Sequence, residues 1–513
     1  TSSVVLLCSG FALYSFFKLS AAEGQKDFNL YELVPSTTSA VFVTDDVLEF
    51  VAEVDELTCS KNQQYLYVSK LFSYLKQSLY ALSEDTPHGL SRQMNQMLIS
   101  FHEPDNERNQ VLYCRLGNGD KELVNRFVRK YISSLYPPKT FIYKGEEIII
   151  YPMADGDFLA CYLTSDFMAL SFQKKLIENV IDAYKSGKSL ADDSTFTGIR
   201  APKKSAAAAT IYTRMQGMMG WTEFDMKMKD DFIYFSGITH DADTCFAFIN
   251  QLRQQQSVKG FPGEVLPSTA FYFSRQGITD WVSLLSYGNA QGQSVPARTS
   301  EVQNRDKEFS RYLMENAGQD LVACLFQRED TLQDAAAVLS LSVADVTEAE
   351  RMLRALVNAA PADEGRRNPR ITFCYTVNKA YPIYRLPQTT LFEQLTSFAE
   401  PTLDVYAAFY GGRLLLAPDA DALAHYIRQL DKGEVLNGAM AYQTGMDHLS
   451  DSYHFMLMAD FDHIFQQSEN HVRFVPDFFL RNADFFRHFT FFVQFACADG
   501  VVYPNIVLKY KSE

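Results

Sequence analysis

A short phrase occurs twice in this chain, once in each half. Residues Leu33–Thr37 read LVPST, and residues Val265–Thr269 read VLPST. Each copy runs into a β-rich stretch, AVFVTDD or AFYFSRQ, and then into a stretch with the apolar spacing of a helix. A phrase that returns with the same predicted elements behind it indicates an internal repeat, which constrains the fold more than any other feature of the sequence.

Further pairs of segments follow in the same order in the two halves. They predict, in turn, a strand with an amphipathic helix, two strands around a turn, two strands followed by a helix that ends at a glycine, and a closing hairpin. The paired segments are 110–132 with 335–357, 141–153 with 371–387, 157–190 with 403–436, and 224–239 with 492–510; the helix-ending glycines are Gly187 and Gly433, and the hairpins turn at Asp230-Asp231 and Asp499-Gly500.

We therefore interpret residues 25–256 and 257–513 as two tandem α+β repeats. Antiparallel hairpins supply most of the sheet in each repeat, and amphipathic helices cover it. The polar stretch 251–264 is the predicted joint, and the polar stretches 288–308 and 358–370 are predicted surface loops. Two similar lobes commonly leave a cleft between them, where we expect a ligand or partner to bind.

The composition is acidic and rich in apolar residues. Lysine and arginine number 47 against 62 aspartate and glutamate, so the formal net charge is −15, which excludes a protein that coats nucleic acid. Hydrophobic residues make up 47% of the chain and aromatic residues 14%, which excludes a disordered or collagen-like chain. The sequence therefore predicts a folded protein with a large core.

The chain opens with an uncharged apolar run, Val4–Phe17. A helix that spans a bilayer needs about 20 apolar residues, so we interpret residues 1–24 as a truncated N-terminal transmembrane anchor. A cleaved secretory signal that ends near Ala21 and Ala22 and a lipid attachment at Cys8 are the alternatives. The anchor predicts a single-pass protein of the bacterial inner membrane with the bulk of its chain in the periplasm.

The cysteines beyond the anchor are odd in number and show no CxxC spacing. We expect buried free thiols rather than a disulfide scaffold, because free cysteine behaves as a small apolar residue in a chain with this much core. They are Cys59, Cys114, Cys161, Cys245, Cys324, Cys374 and Cys497.

Several longer phrases are similar to a family of uncharacterised, membrane-anchored bacterial envelope proteins with two repeats. The phrases are LPSTA, SLADDSTF, GWTEFDMKMKDDFIYFSG and FFRHFTFFVQFACADGVVYPNIVLKY, and the resemblance covers almost the whole chain. It implies an exported, duplicated α+β protein with one N-terminal anchor, and it carries over no catalytic residue. The second half departs from SLADDSTF, since it reads VLNGAMAYQTG. Any function tied to that phrase would therefore belong to the first repeat.

One stretch is similar to a phosphate-binding loop. Asp182–Ser189 reads DAYKSGKS, but the first glycine of the motif is absent, and the stretch ends a helix instead of opening one. We interpret Gly187 as a helix cap. The chain also has no GxSxG phrase in a strand–turn–helix context. The sequence thus predicts no catalytic residue and no cofactor site.

Histidines and aspartates are frequent in the last part of the chain, without the spacing of a metal site. No HExxH, no His-x-His and no cysteine pair accompanies them. We interpret them, and the stretch His240–Cys245, as solvated or capping residues, so no metal site is predicted. They are His448, His454, His463, His471, His488, Asp447, Asp451, Asp460 and Asp462.

The phenylalanine-rich stretch Val475–Phe495 is the candidate functional surface of the sequence. Its side chains are more numerous than one helix face needs, so they could line an apolar groove or lie on a membrane surface. They could equally fill the core between the lobes, because aromatic residues dominate ordinary cores. The candidate residues are Phe478, Phe479, Phe485, Phe486 and Phe489.

The leading hypothesis is a non-enzymatic, membrane-tethered periplasmic protein that binds other envelope or membrane proteins, as a scaffold or assembly subunit. It depends on the anchor, the duplication and the lack of catalytic motifs, and it includes no nucleic-acid partner. The first alternative is a carrier or chaperone for a lipid or unfolded client held between the lobes. The second is a hydrolase whose site is assembled from both lobes and leaves no linear motif.

Overall fold

The computed structural model describes residues 28–62, 96–103, 106, 108–117, 120–128, 136–153, 156–200, 207–214, 220–239, 247–282, 284–285, 299–328, 335–359, 370–396, 404–467, 475 and 477–511. The predicted anchor, residues 1–24, lies outside them, as do Cys245, His471 and most of the predicted loop 358–370. Among the described helices, none combines the length and apolar character that crossing a membrane requires.

The chain divides into two compact units. The first comprises residues 1–51 and 67–203, and the second comprises residues 52–66 and 204–513. Both contain helices and antiparallel strands, so the α+β class predicted from the sequence is confirmed. The division falls before the predicted repeat boundary at 256, because the strands of residues 209–239 pair within the second unit.

The elements of the first unit follow the predicted segments closely. Its strands are β1 (Ala40–Thr44), β2 (Met97–Phe101), β3 (Gln110–Arg115), β4 (Lys139–Tyr143), β5 (Glu146–Pro152), β6 (Phe158–Leu163) and β7 (Phe167–Ser171). Its helices are α3 (Asp120–Phe127), α4 (Lys174–Ser186) and α5 (Ser194–Ile199), with a 3-10 turn at Leu30–Glu32. Helix α1 (Val47–Glu56) begins in the first unit and passes into the second from Ala52, and the short α2 (Thr58–Lys61) belongs to the second unit.

The second unit holds the remaining elements. Its strands are β8 (Ala209–Thr213), β9 (Thr222–Lys229), β10 (Phe232–Thr239), β11 (Val258–Lys259), β12 (Ala270–Gly277), β13 (Ala317–Gln327), β14 (Ala335–Val343), β15 (Ile371–Tyr375), β16 (Ala380–Arg385), β17 (Tyr406–Tyr410), β18 (Arg413–Ala417), β19 (Ser452–Tyr453), β20 (Phe455–Asp460), β21 (Phe489–Ala498) and β22 (Val501–Tyr510). Its further helices are α6 (Ala247–Gln254), α7 (Ser300–Asn316), α8 (Val346–Ala359), α9 (Leu391–Leu395), α10 (Ala420–Asp431), α11 (Met440–Met446), α12 (Phe461–Phe465), α13 (Asp477–Arg481) and α14 (Ala483–Phe486), with 3-10 turns at Pro262–Glu264 and Leu436–Gly438.

The strands of each unit pair antiparallel; the part of the sheet in the first unit is here named the first sheet, and the part in the second unit the second sheet. The order in the first unit is β1-β2-β3-β7-β6-β5-β4. The order in the second is β15-β16-β17-β18-β14-β13-β12-β20-β21-β22-β10-β9-β8, and β11 pairs separately with β19. Strand β4 therefore lies at one edge of the first sheet, and β15 lies at one edge of the second.

One amphipathic helix packs on each sheet beside its edge strand. Helix α4 packs on β5, β6 and β7, and α10 packs on β15, β16, β17 and β18. Each ends at a predicted glycine in the left-handed region, since φ is +62° at Gly187 and +76° at Gly433. Glu434 N–H donates to the Gln429 carbonyl and Gly433 N–H donates to the Leu430 carbonyl, both at 3.0 Å, which is the Schellman arrangement.

The closing hairpins turn where the sequence predicted. Strands β9 and β10 join at Asp230, whose φ is +50°, and β21 and β22 join at Asp499 and Gly500, with φ of +51° and +78°. Aspartate and glycine tolerate positive φ better than other residues. The outer strands β10 and β22 then pair with each other, which joins the two hairpins within the second sheet.

The prediction of a surface loop over residues 288–308 is wrong in its second part. Helix α7 begins there at Ser300, because Thr299 caps it by accepting the Val302 N–H at 3.4 Å. The helix buries Asp306 beside apolar residues. A charged side chain at a buried position interrupts the apolar spacing, so the spacing does not predict this helix.

Candidate functional site

The exposed side of edge strand β15 is apolar. Ile371, Phe373 and Tyr375 are 38%, 54% and 70% exposed, and the rings of the last two lie 6.2 Å apart. Alternate residues of a strand point to the same side, so these three form one line of side chains, here named the β15 row. Val377 at the hairpin tip is also fully exposed. Contiguous exposed apolar side chains are typical of a surface that binds another molecule.

The backbone of β15 is open on the side away from β16. Arg385 N–H donates to the Arg370 carbonyl at 2.8 Å, and Thr376 N–H donates to the Lys379 carbonyl at 3.0 Å. Paired residues of antiparallel strands exchange such bonds at every second position, so the β15 row turns its N–H and C=O groups away from β16. In the described chain, no strand pairs with this open side of β15.

The other side of the same hairpin is fixed to helix α10. The buried Cys374 thiol lies 3.6 Å from the Ala424 carbonyl, and burial raises the pKa of that thiol. Asp431, at the end of the helix, accepts from Asn378 Nδ2 at 3.0 Å and from Tyr381 OH at 3.3 Å. Burial, together with the charge of Asp431, raises the pKa of Tyr381. The β15 row is thus presented by a hairpin whose inner side is packed.

The edge strand of the first unit is exposed as well, with a different composition. Ile142 in β4 is 72% exposed, and Tyr136, Phe141 and Phe158 nearby are also exposed. However, Lys139 lies within the strand and is itself exposed. This edge therefore mixes apolar side chains with a charge.

Ion pairs fix the β4 hairpin to helix α4. Lys144 Nζ lies 2.7 Å from Asp182, and Lys185 Nζ lies 2.8 Å from Glu146. The hydrogen bond from Lys144 lowers the pKa of Asp182, and hydrogen bonds from Lys185 and then Tyr162 lower the pKa of Glu146. Both hairpins are thus held at the C-terminal end of the helix that packs beside them.

A serine and a histidine lie together in the core of the first unit. Ser100 Oγ is 2.9 Å from His102 Nε2 and 3.1 Å from Tyr113 OH. Burial lowers the pKa of His102 to about 4, so the ring is neutral at pH 7, and burial raises the pKa of Tyr113. Ser100 is 0% exposed, so no substrate carbonyl can reach its oxygen. The cluster satisfies buried polar groups and is not an accessible nucleophile.

A second polar cluster lies at the start of helix α12. Asp460 caps the helix by accepting the N–H of Asp462 at 3.0 Å, and it also accepts from Lys511 Nζ at 2.7 Å. His463 Nδ1 lies 3.3 Å from Asp460. Burial raises the pKa of Asp460, but the bonds from His463 and Lys511 outweigh it and the net pKa is lowered; the bond to Asp460 raises the pKa of His463. Asp460 has the capping role that the sequence predicted.

The other described histidines of this part of the chain each contact a different set of residues. His454 Nδ1 accepts the Cys497 N–H at 3.2 Å, His448 contacts the rings of Phe232 and Tyr234, and His488 lies beside Tyr510. Across the residues whose positions are described, no group of three or more His, Cys, Asp or Glu side chains could hold a metal ion.

The phenylalanines of the predicted apolar surface pack largely on one another. Phe486 and Phe489 are buried, Phe479 and Phe485 are half-buried, and Phe478 lies in α13 with a side chain outside the description. The ring of Phe479 lies 4.8 Å from that of Phe486. Phe461, on α12, contacts both of these rings. The segment contributes to the core of the second unit, while a ligand-binding role for it stays a prediction.

The stretch similar to a phosphate loop is a helix end followed by a turn. Ser189 Oγ donates to Asp192 Oδ2 at 2.7 Å, so the hydroxyl is held within the chain. Asp193 caps α5 by accepting the N–H groups of Thr195 at 2.9 Å and Phe196 at 3.3 Å. The phrase SLADDSTF thus serves as two consecutive turns and caps.

The described cysteines are free thiols, as predicted. Five are buried and Cys497 is half-buried, and burial raises the pKa of Cys114 and Cys161 to about 12. Thiols with raised pKa values are poor nucleophiles at neutral pH. The buried ones are Cys59, Cys114, Cys161, Cys324 and Cys374.

Comparison with known proteins gives no relative. No protein-family model, no curated protein and no solved structure matches the chain. The similarity to two-repeat envelope proteins therefore stays a prediction.

The sequence reasoning missed the two exposed edges, although a signal was present. The sequence predicts β4 with β5 and β15 with β16 as strands around turns, but it does not show what covers these strands. The uncharged phrase ITFCY at Ile371–Tyr375 alternates large and small side chains, which is the pattern of a strand with one side covered. Which side faces solvent depends on where helix α10 packs, and the sequence does not state that.

Proposed function

We propose that this chain is a non-enzymatic, membrane-tethered protein of the bacterial cell envelope that binds other envelope proteins, as a scaffold or as a subunit of an assembly. The observation that carries the proposal is that each unit ends its sheet in a strand with large exposed apolar side chains, at β4 and at β15. Soluble surfaces rarely expose such groups unless a partner covers them, since open strand edges invite association.

The polar clusters support a binding role over a catalytic one. Ser100 is inaccessible, and Asp460 is occupied by helix capping and by Lys511. Asp306, which is also buried, accepts from Thr389 and Thr390. Each of these groups has a structural partner in the described chain, so none is poised to transfer a proton or attack a substrate.

Duplication of the chain, with repeats at 25–256 and 257–513, is part of the proposal. Two observations support it. The strand order from β1 to β7 in the first unit has the same pattern as that of β12 to β18 in the second. The two proline phrases also make equivalent backbone hydrogen bonds to the segment after the glycine-ended helix of their own repeat. In the first repeat, Ser36 N–H donates to the Lys188 carbonyl and Leu190 N–H donates to the Val34 carbonyl. In the second repeat, Ser268 N–H donates to the Glu434 carbonyl and Leu436 N–H donates to the Leu266 carbonyl. A duplicated protein offers two similar surfaces, which suits a scaffold.

The tether depends on the apolar run within residues 1–24. An anchor there would hold both units at one membrane surface, and so limit their partners to proteins of the same compartment. Holding a binding surface near its partners raises their effective concentration without any new contact.

Native mass spectrometry of the full-length protein, extracted gently from membranes, tests the proposal. We expect added mass that matches a second polypeptide. A chain that carries only lipid mass would contradict the scaffold and favour a carrier of apolar ligands. A chain with no added mass at all in repeated preparations would also contradict it, because an assembly subunit should retain its partner.

A further inference from the structure

The two exposed edges differ in the features that normally prevent strands from associating. Open edges are guarded by charged side chains, prolines and bulges. Prolines precede both strands in the sequence, Pro138 before β4 and Pro369 before β15, but only β4 also holds a charge within the strand, at Lys139. Strand β15 reads ITFCY, with no charge and no proline, and it pairs with β16 without a bulge. An unguarded open edge is a hazard for a protein unless something binds it.

We infer that β15 is the binding edge and that it takes an extended segment of another protein, which adds to the sheet as one more strand. The segment carries apolar side chains at alternate positions. This inference rests on the proposed function and specifies its surface and the chemistry of its partner.

The backbone defines the shape of the partner segment. The β15 row turns its N–H and C=O groups to the open side, and only another extended backbone satisfies them all. A strand rises about 3.3 Å per residue, so the five residues from Ile371 to Tyr375 accommodate a partner strand of similar length.

The side chains define its composition. Residues opposite one another on neighbouring strands lie on the same face and contact each other. The partner side chains opposite Ile371, Phe373 and Tyr375 therefore meet an apolar surface. On the other face, Cys374 is buried against α10, so the partner positions there meet the end of a packed layer and are best filled by small side chains.

Charge distinguishes another protein from a second copy of this chain. The net charge of −15 makes two copies of the chain repel each other, whereas a partner protein without this acidic excess meets no such repulsion. Pairing of β15 with β15 of a second copy would have to overcome this repulsion.

A peptide probe tests the inference on the full-length protein in detergent. The probe is a ten-residue peptide of alternating valine and threonine with two lysines at each end. We expect it to slow amide hydrogen exchange at residues 371–375, and not at 139–143. A control peptide of the same sequence with every amide between the lysine pairs N-methylated keeps the charge but has no N–H groups to donate from either edge, so we expect at least tenfold weaker binding.

Matched variants separate the two edges. Phe373→Lys and Tyr375→Lys should each weaken the probe at least tenfold, whereas Ile142→Lys, at an equally exposed position of β4, should leave its affinity unchanged. All three residues are exposed, and an unchanged circular dichroism spectrum will check that each variant folds. Two separate lysine variants of the β15 row are used, so that one still tests the inference if the other disturbs the hairpin.

Several outcomes would overturn the inference. They are equal binding of the N-methylated peptide, protection of β4 in place of β15, and an unchanged affinity in both β15 variants. Sedimentation that finds wild-type dimers and Phe373→Lys monomers would make a second copy the occupant. If a polypeptide copurifies with the wild type and equally with Phe373→Lys, the proposed function stands and this inference fails; if nothing copurifies with the wild type, the proposed function itself fails.

Discussion

Replacing Asp320 by asparagine should destabilise the second unit more than any exposed charge change. Asp320 is buried, and Arg275 Nε donates to it at 3.0 Å and Arg413 Nη1 donates to it at 3.3 Å. Arg275 also donates to the Gly260 carbonyl at 2.8 Å. The carboxylate therefore joins β12, β13 and β18 and neutralises part of the charge of two arginines whose side chains are only 15% and 13% exposed.

The magnitude follows from burial and charge. Burial alone raises the pKa of Asp320, but the charges of Arg413 and Arg275 and a hydrogen bond from Ser342 outweigh it, and the net pKa is lowered. The folded state thus holds the ionised form. Removing one partner of a buried ion pair costs about 3–5 kcal/mol, because it leaves buried charge uncompensated. With a urea m-value of about 3 kcal/mol/M, the unfolding midpoint should fall by about 1 M or more.

Tryptophan fluorescence reads this unit alone. The chain has 2 tryptophans, Trp221 and Trp281, and both belong to the second unit. A urea titration of Asp320→Asn is compared with Glu348→Gln, which removes one partner of the exposed pair Glu348–Arg351. The side chain of Glu348 is 48% exposed against 8% for Asp320, so its midpoint should not change. A midpoint for Asp320→Asn that matches the control would refute the reasoning.

Three further predictions concern other parts of the structure. Asp306 accepts three hydrogen bonds of 2.6, 2.9 and 2.7 Å from residues 389–390, so Asp306→Ala should lower stability by about 2–4 kcal/mol in the same titration. Burial lowers the pKa of His102 to about 4 in the folded chain. The contribution of neutral His102 to the free energy of unfolding, about 3 kcal/mol, is therefore complete above pH 6.5 and is lost as the pH falls towards 4. Hydrogen-exchange protection of β2 should fall over the same pH range, and His102→Gln should remove this dependence. Gly433 has φ of +76° and open space around it, so Gly433→Ala should lower the free energy of unfolding by about 1 kcal/mol through backbone strain alone. Gly438 also has open space around it but no positive φ, so Gly438→Ala should leave the stability nearly unchanged.

Local chemistry explains which parts of the fold were predictable. The turn at Asp499-Gly500 and the helix end at Gly433 depend on residues that tolerate positive φ, so their sequence alone indicates the backbone. The paired strands were predictable for a similar reason, since alternation is a property of a few consecutive residues. These features require no knowledge of what lies across the core.

Features that depend on tertiary packing were not predictable. Helix α7 was missed because Asp306 occupies a buried position, and the threonines that satisfy it lie far along the chain. The division into units differs from the predicted repeats because β10 pairs with β22, a contact between distant segments. In the same way, nothing in ITFCY states that β15 is the last strand of its sheet. The candidate site could be found only once neighbours were known.

Photo-crosslinking in the cells that make this protein tests the central claim most directly. A photoreactive amino acid is placed at Tyr375 in the β15 row and, as a control, at Val282, which is exposed in the same unit but outside the row. The account predicts that Tyr375 crosslinks to one second polypeptide and that Val282 does not. The absence of any crosslink from Tyr375, or the same crosslinked polypeptides from both positions, would contradict the claim that this edge binds a protein partner.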